Sequence, residues 1–296
     1  MTPSPLGLLG RVRLPDVEVP RGRMVDLSGR GETFVTDTPG PTPDAPVVLL
    51  LHAVGCTGLL TWFPSIPALA ERYRVVTFDQ RWHGRGIQSR QFSLRDCADD
   101  VAAVVEALDL DRPIVAGYSM GSIIAQRAWR QHPSLVSGLV LAATIGHFRH
   151  GTKELLFHQA VQVAMGATSG LAASRTAAHA ARRALGVPEV APADLQRWAL
   201  SELRSTSPWA VASAVSALGR HHSLPWLSTV DVPTAVVVTT RDHVLPPRDQ
   251  MALARAIPGA TTHEVAAGHA ACVLQADRFV PAFTQAVHTV QARVTR

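Results

Sequence analysis

Cysteine is scarce in this chain of 296 residues: Cys56, Cys97 and Cys272 are three, widely spaced, and form no CxxC pair. That excludes a disulfide framework and the usual spacing of a structural zinc site, and it points to a reducing compartment. Charge is also sparse, at 17% of residues, and no block of about five or six like charges occurs. The net charge of +5 therefore bears on solubility, and a nucleic-acid groove is not expected. No stretch reaches about 18 uncharged apolar residues, so no membrane span is expected. The opening MTPSPLGLLGRVRLP lacks the basic stretch and apolar run of a secretory leader, which makes a cytoplasmic location the expectation. Apolar residues make up 47% of the chain, enough for a large core and too many for a disordered one. The 21 glycines and 21 prolines are scattered, without a collagen-like period.

Apolar runs alternate with helical patterns along much of the chain. Residues 21–46 read as two short strands joined by glycine-containing turns, and APVVLLLH (45–52) is a continuous apolar run of the kind that fills a buried parallel strand. YRVVTFD (73–79), PIVAGYS (113–119) and GLVLAAT (138–144) follow as strands. Between them lie helices, the first capped by Ser93 and the second starting directly after Ser119. This order predicts an α/β fold with a mostly parallel central sheet flanked by helices. Residues 149–228 then carry helical patterns with no convincing strand, which predicts an inserted helical lid. PTAVVVTTRD (233–242) and ATTHEVA (260–266) resume the strands, and a closing helix contains Pro281, where a kink or break is expected. The expected division is thus 1–148 as the first part of the core, 149–228 as the cap, and 229–296 as the second part of the core.

The sharpest chemical signal is Gly117-Tyr118-Ser119-Met120-Gly121, at the junction of a buried strand and a helix. Such a turn lifts a serine hydroxyl above the sheet, glycines on either side relieve backbone contacts, and the helix N-terminus favours developing negative charge. The plainer alternative is a tight turn that happens to contain a serine.

With that motif in that context, the sequence resembles the α/β-hydrolase family from about residue 23 to 292. The resemblance implies a nucleophile, an acid after a late strand and a histidine after the last strand, in that order. Ser119, Asp242 in TTRDH and His269 in AGHA occupy those places. It further implies an oxyanion hole from the backbone N–H groups of Met120 and Val54. Here the chain departs from the family pattern, with Ala53 standing where a glycine usually follows the histidine of the loop. His52 is expected to fix that loop, and His243 to be structural or pocket-lining. Asp79, Arg81 and His83, in DQRWHGRG, are expected to form a polar network that holds neighbouring loops. HGRG lacks dinucleotide spacing, so no nicotinamide or flavin is expected, and His147, His150, His221 and His222 lack a matching ligand set for a metal.

Large apolar side chains are available above the serine: Trp62 with Leu59, Leu60 and Phe63 after the first buried strand, and Phe157, Met165, Trp198, Trp209 and Trp226 in the expected lid. Trp62, Phe157, Met165 and Trp209 are the expected substrate contacts, others serving only to bury helix on core. The resemblance implies a serine hydrolase, and these apolar side chains, with no acidic cluster or arginine pair among them, favour a small or medium uncharged carboxylic ester with an apolar acyl or alkyl part as small-molecule substrate. Thioesterase, lactonase, acyltransferase, carbon–carbon hydrolase and cofactor-free haloperoxidase activities share the same machinery and stay open, as does a receptor that retained the fold. Oligomeric state is open too, a homo-oligomer included.

Overall fold

The expected strands assemble into one sheet in the computed structural model, which describes residues 17–148 and 195–294. They are β1 (Arg23–Leu27), β2 (Gly31–Thr38), β3 (Val47–Leu51), β4 (Arg74–Phe78), β5 (Ile114–Tyr118), β6 (Gly138–Ala142), β7 (Thr234–Thr239) and β8 (Thr261–Val265). Their spatial order is β1-β2-β4-β3-β5-β6-β7-β8. β1 pairs antiparallel with β2 and β2 with β4, while every pairing from β4 to β8 is parallel.

The continuous apolar runs exist because both faces of the sheet are covered. Along β3, Leu49 and Leu51 enter one core, whereas Val48 and Leu50 enter the other. The same alternation places Val115, Leu139 and Leu141 on the first side and Ile114, Ala116 and Val140 on the second. Each such fully buried Val, Ile or Leu contributes about 1.5–3 kcal/mol of transfer free energy. The first core is closed by α3 (Leu94–Ala107), α4 (Met120–Gln131) and α8 (Pro247–Ala256). The second is closed by α1 (Gly58–Trp62), α2 (Ile66–Ala70), α9 (Ala271–Leu274) and α10 (Ala276–Val294).

Local signals set the helix ends. Ser93 Oγ accepts from the Arg95 and Asp96 N–H groups at 3.1 and 3.4 Å, capping α3 as its sequence implies. Pro281 does not break the closing helix, since α10 runs unbroken through it. The lost hydrogen bond lies near the helix start, and fully buried Phe279, Phe283, Val287 and Val290 hold the helix to the sheet on either side of it.

Between β6 and β7 the described residues carry α5 (Leu195–Ser205), α6 (Pro208–Gly219) and α7 (Leu224–Leu227) and no strand of the sheet. Ser207 Oγ caps α6 by accepting from Ala210 N–H at 3.1 Å, and Pro208 fills its first position. α5 packs on α1, and α6 on α3. The two helical patterns expected earlier in this insertion, with Phe157, Met165 and His150, lie outside the described residues. No helix among the described residues is long and apolar enough to cross a membrane.

Candidate active site

Consecutive strands run outward in opposite directions from the sheet's middle, where β3 and β5 are neighbours. Loops leaving their carboxyl ends part there and open a crevice, the usual ligand position in open α/β sheets. Ser119 stands in it, directly after β5, with φ 52° and ψ −112°. A non-glycine residue held there is strained by about 1–3 kcal/mol, and the surroundings over-determine it. Ser119 N–H donates to the Ala142 carbonyl at 2.9 Å, and Ser122 Oγ donates to the Gly117 carbonyl at 2.6 Å. The flanking glycines are steric necessities. A Cβ on Gly121 would lie 2.1 Å from the Leu51 carbonyl oxygen, and one on Gly117 would lie 2.3 Å from the backbone of Gly121.

His269, from the loop after β8, reaches back so that its Nε2 lies 3.1 Å from Ser119 Oγ. Its Nδ1 is 2.7 Å from Asp242 Oδ2, in the loop after β7. The three residues assigned from the resemblance are therefore joined in one hydrogen-bonded chain. Tyr118, the residue before the serine, donates its hydroxyl to the His269 carbonyl at 2.8 Å and so ties the histidine loop to the turn. His243 is exposed and stays outside this chain.

Asp242 is buried, which alone raises a carboxyl pKa, but its partners more than offset this. His269, the Leu245 N–H at 2.9 Å and the Thr239 hydroxyl at 2.8 Å hold it below the usual carboxylate range. Val244 N–H, at 2.8 Å, completes the cradle. A folded-state pKa below the unfolded one adds stability above the unfolded value, and that increment disappears as pH falls through the folded one. Asp242→Asn is accordingly expected to cost the most stability at neutral pH, with the difference shrinking in acid; urea denaturation across pH measures it.

Met120 opens α4, so its N–H has no preceding helical turn to bond. Val54 lies across the crevice, in the loop after β3, and both Val54 and Ser119 line the same cavity. Ala53 needs no special backbone angle: the left-handed conformation of this loop falls on Gly55, with φ 74°. Beneath it His52 is fully buried. Its Nε2 accepts from Gln80 N–H at 2.8 Å, its Nδ1 faces the Ala53 carbonyl at 2.8 Å, and Gln80 Nε2 donates to the His52 carbonyl at 2.8 Å. Burial lowers its pKa, so it is a neutral loop clamp.

The Asp79 network departs from the expected set in both partners: neither Arg81 nor His83 bonds Asp79, and His83 Nδ1 instead faces the Arg81 carbonyl at 3.0 Å. Asp79 accepts from Gly58 N–H and Arg85 N–H, both at 2.9 Å, and its ion-pair partner is Arg85 at 3.4 Å. Arg81 turns away to pair with Asp100 at 2.7 Å, which also holds Arg30. The α3 carboxylate lies on the side of the loop that Arg81 faces, an orientation the bare motif does not encode. His147 and His222 have ring centroids 4.2 Å apart, yet among the described residues no group of three or more His, Cys, Asp or Glu is placed to hold a metal.

A cavity of about 300 Å³ opens over Ser119 and His269. Among the described residues its walls are apolar: Val54 and Leu60 on one side, Ala199, Leu200 and Leu203 of α5 on another, and Cys272, Val273 and Leu274 of α9 on a third. Leu203 and Leu274 are 39% and 45% exposed and flank its mouth. Cys56 also lines it, and burial pushes its thiol up to about 11, which keeps it in the thiol form near neutral pH.

Two expected substrate contacts are corrected. Trp62 is fully buried among Tyr118, Phe279 and Phe283 and does not reach the cavity. On the short helix α1, residues two apart face opposite ways, so Leu60 takes the wall and Trp62 the core. Trp209 is half-buried at the start of α6 and is absent from the described lining, since α6 packs toward α3 while α5 supplies the wall. The lining residues of α5 and α9 and the clamp from Tyr118 were not foreseen. Their only sequence signal is ordinary amphipathic spacing, shared with every core helix.

Residues 46–276 match the family model of the alpha/beta hydrolase fold. The chain belongs to the alpha/beta-hydrolase family. It is 23% identical over 262 residues to 3-oxoadipate enol-lactonase 1 of Acinetobacter baylyi, an alignment covering 88% of this chain and 96% of that protein. It is 43% identical over 88 residues to the Mycobacterium tuberculosis protein named "Putative non-heme bromoperoxidase BpoC", which is 29% of this chain and only 34% of that relative's length. Among solved structures, the enol-lactonase from Burkholderia xenovorans superposes with a TM-score of 0.69 at 22% identity, over 91% of this chain and 100% of that one. A thermophilic esterase from Thermogutta terrifontis gives 0.70 at 22%, over 93% and 100%. At these identities the structural likeness speaks for the fold.

Proposed function

We propose that this hydrolase is a serine esterase that cleaves a small or medium, uncharged carboxylic ester with an apolar acyl or alkyl part. The observation that carries the reading is the chain Ser119–His269–Asp242 at the floor of an apolar cavity. His269 takes the Ser119 proton as Oγ adds to the ester carbonyl, while Asp242 keeps the imidazole in the required tautomer and offsets its positive charge. The N–H groups of Met120 and Val54 stabilise the oxyanion of the tetrahedral intermediate. Collapse expels the alcohol, protonated by His269, and leaves an acyl ester on Ser119. Water, deprotonated by His269, then adds to that ester, and Ser119 leaves with its proton restored. α5 to α7 form the described part of the cap expected over 149–228.

The apolar lining supports an uncharged substrate, because a carboxylate buried there would lack a cation among the described residues. A lactone, which is a cyclic ester, is the second reading, favoured by the near full-length similarity to an enol-lactonase. A fluorophosphonate probe followed by peptide mass spectrometry tests the mechanism: an adduct on Ser119 is expected, and its absence overturns the reading. A panel of neutral acyl esters, matched lactones and carboxylate-bearing esters, compared by kcat/KM, then ranks the substrates.

A further inference from the structure

We propose that Glu202 is a positioning residue for this reaction: its carboxylate reaches from α5 to Thr57 and ties the helix walling the cavity to the loop that carries the second oxyanion donor. The proposal rests on the serine-hydrolase reading above. It makes the oxyanion hole dependent on the docking of α5.

α5 turns Ala199, Leu200 and Leu203 toward the cavity, and Glu202 stands on a flank of that face, only 8% exposed. A carboxylate in such a place is costly unless it is hydrogen-bonded. Thr57 Oγ1 donates to Glu202 Oε2 at 2.5 Å, and Arg85 Nη2 lies 3.5 Å from the same oxygen. Thr57 is not an incidental partner. Its Oγ1 also accepts from Leu60 N–H at 3.1 Å, which caps α1, and Val54 lies three residues upstream in the same loop. Besides the His52–Gln80 clamp, the loop is anchored by Ala53 N–H on Thr61 Oγ1 at 3.3 Å and Gly58 N–H on Asp79 Oδ1 at 2.9 Å. Of these side-chain contacts, only that of Thr57 comes from the cap. Just beyond Glu202, Thr206 Oγ1 accepts from Gly84 N–H at 3.0 Å, a second tether from the same segment to the Asp79 loop.

The arrangement is a poor stability device. Arg85 is shared between Asp79 at 3.4 Å and Glu202 at 3.5 Å, so neither ion pair is tight. Burial, with the nearby Asp79 charge, holds the Glu202 carboxyl above its usual range although Arg85 and Thr57 oppose this. An ion pair of that kind repays little of its desolvation. What a short hydrogen bond between residues 145 positions apart does supply is register between α5 and the oxyanion loop.

Kinetics of the full chain on a neutral p-nitrophenyl ester test this, together with inhibition by a trifluoromethyl ketone, which needs the oxyanion hole, and by the matching secondary alcohol, which does not. Glu202→Ala and Thr57→Val are each expected to lower kcat and weaken the ketone by a similar factor, about tenfold to hundredfold, with KM and alcohol inhibition unchanged. Glu202→Gln is expected to recover part of the loss, since its amide oxygen still accepts from Thr57. The double variant Thr57→Val/Glu202→Ala should be no worse than either single one. Wild-type kcat and ketone inhibition, a change in KM alone, or additive losses would overturn the proposal while Ser119 labelling by fluorophosphonate stays intact. Failure of that labelling in the wild type strikes the hydrolase reading instead. Should Glu202→Ala not fold, Glu202→Gln and Thr57→Val decide by the same readouts.

Discussion

Ser119→Ala is expected to lower kcat for a neutral ester by about 10⁴–10⁶-fold, measured by steady-state turnover with a check for contaminating esterase. In the mechanism proposed above the Ser119 hydroxyl is the acyl acceptor, and an alanine keeps the cavity and the backbone N–H groups but removes that covalent step. His269→Ala should fall by a similar factor, because Ser119 Oγ at 3.1 Å then has no base to take its proton. The two losses should not add: nucleophile and base act as one unit, and removing either disables the same step. A double variant far slower than each single one, or a Ser119→Ala enzyme retaining more than about one percent of turnover, would place the reacting group elsewhere.

Gly121→Ala carries the largest expected effect on stability. The added methyl would sit 2.1 Å from the Leu51 carbonyl oxygen and 2.5 Å from its carbonyl carbon, both backbone atoms of β3. β3 cannot yield, because it lies inside the sheet and pairs Leu51 with Gly117 of β5. Relief requires moving α4 away from the strand, which also moves Met120 and Ser119. A loss of about 3 kcal/mol or more is expected in urea denaturation, with fluorophosphonate labelling of Ser119 abolished in whatever folds. Ser119→Ala, by contrast, keeps the same Cβ and should unfold near the wild-type midpoint. That contrast separates a steric requirement of the turn from a chemical requirement of the site.

Much of this was legible in the residues themselves. Continuous apolar runs such as VVLLL and IVAGY become strands buried on both faces, because alternate side chains must enter two cores. The turn at Ser119 was legible because its constraint is local: glycines two positions away on either side permit a strand to pass directly into a helix. Asp242 and His269 were found by likeness to a family. Nothing in TTRDH or AGHA alone distinguishes a partner of serine from an ordinary turn residue.

Tertiary structure decided which groups meet. Trp62 and Leu60 are equally plausible wall residues in sequence, and the direction of a five-residue helix sent one to the core and the other to the cavity. Arg81 and Arg85 flank the same histidine-glycine pair, and the position of Asp100 on α3 gave Arg81 a different partner and left Arg85 to Asp79. Glu202 and Thr57 carry no mutual signal, since their contact depends on where α5 lands after a long insertion. By itself, then, the sequence determined the strands, the helices and the serine turn, whose causes are side-chain alternation and backbone sterics acting over a few residues. The distances from Ser119 to His269 and from His269 to Asp242, and the lining of the cavity, depended on sheet order and helix direction, which set how segments far apart in the chain come together.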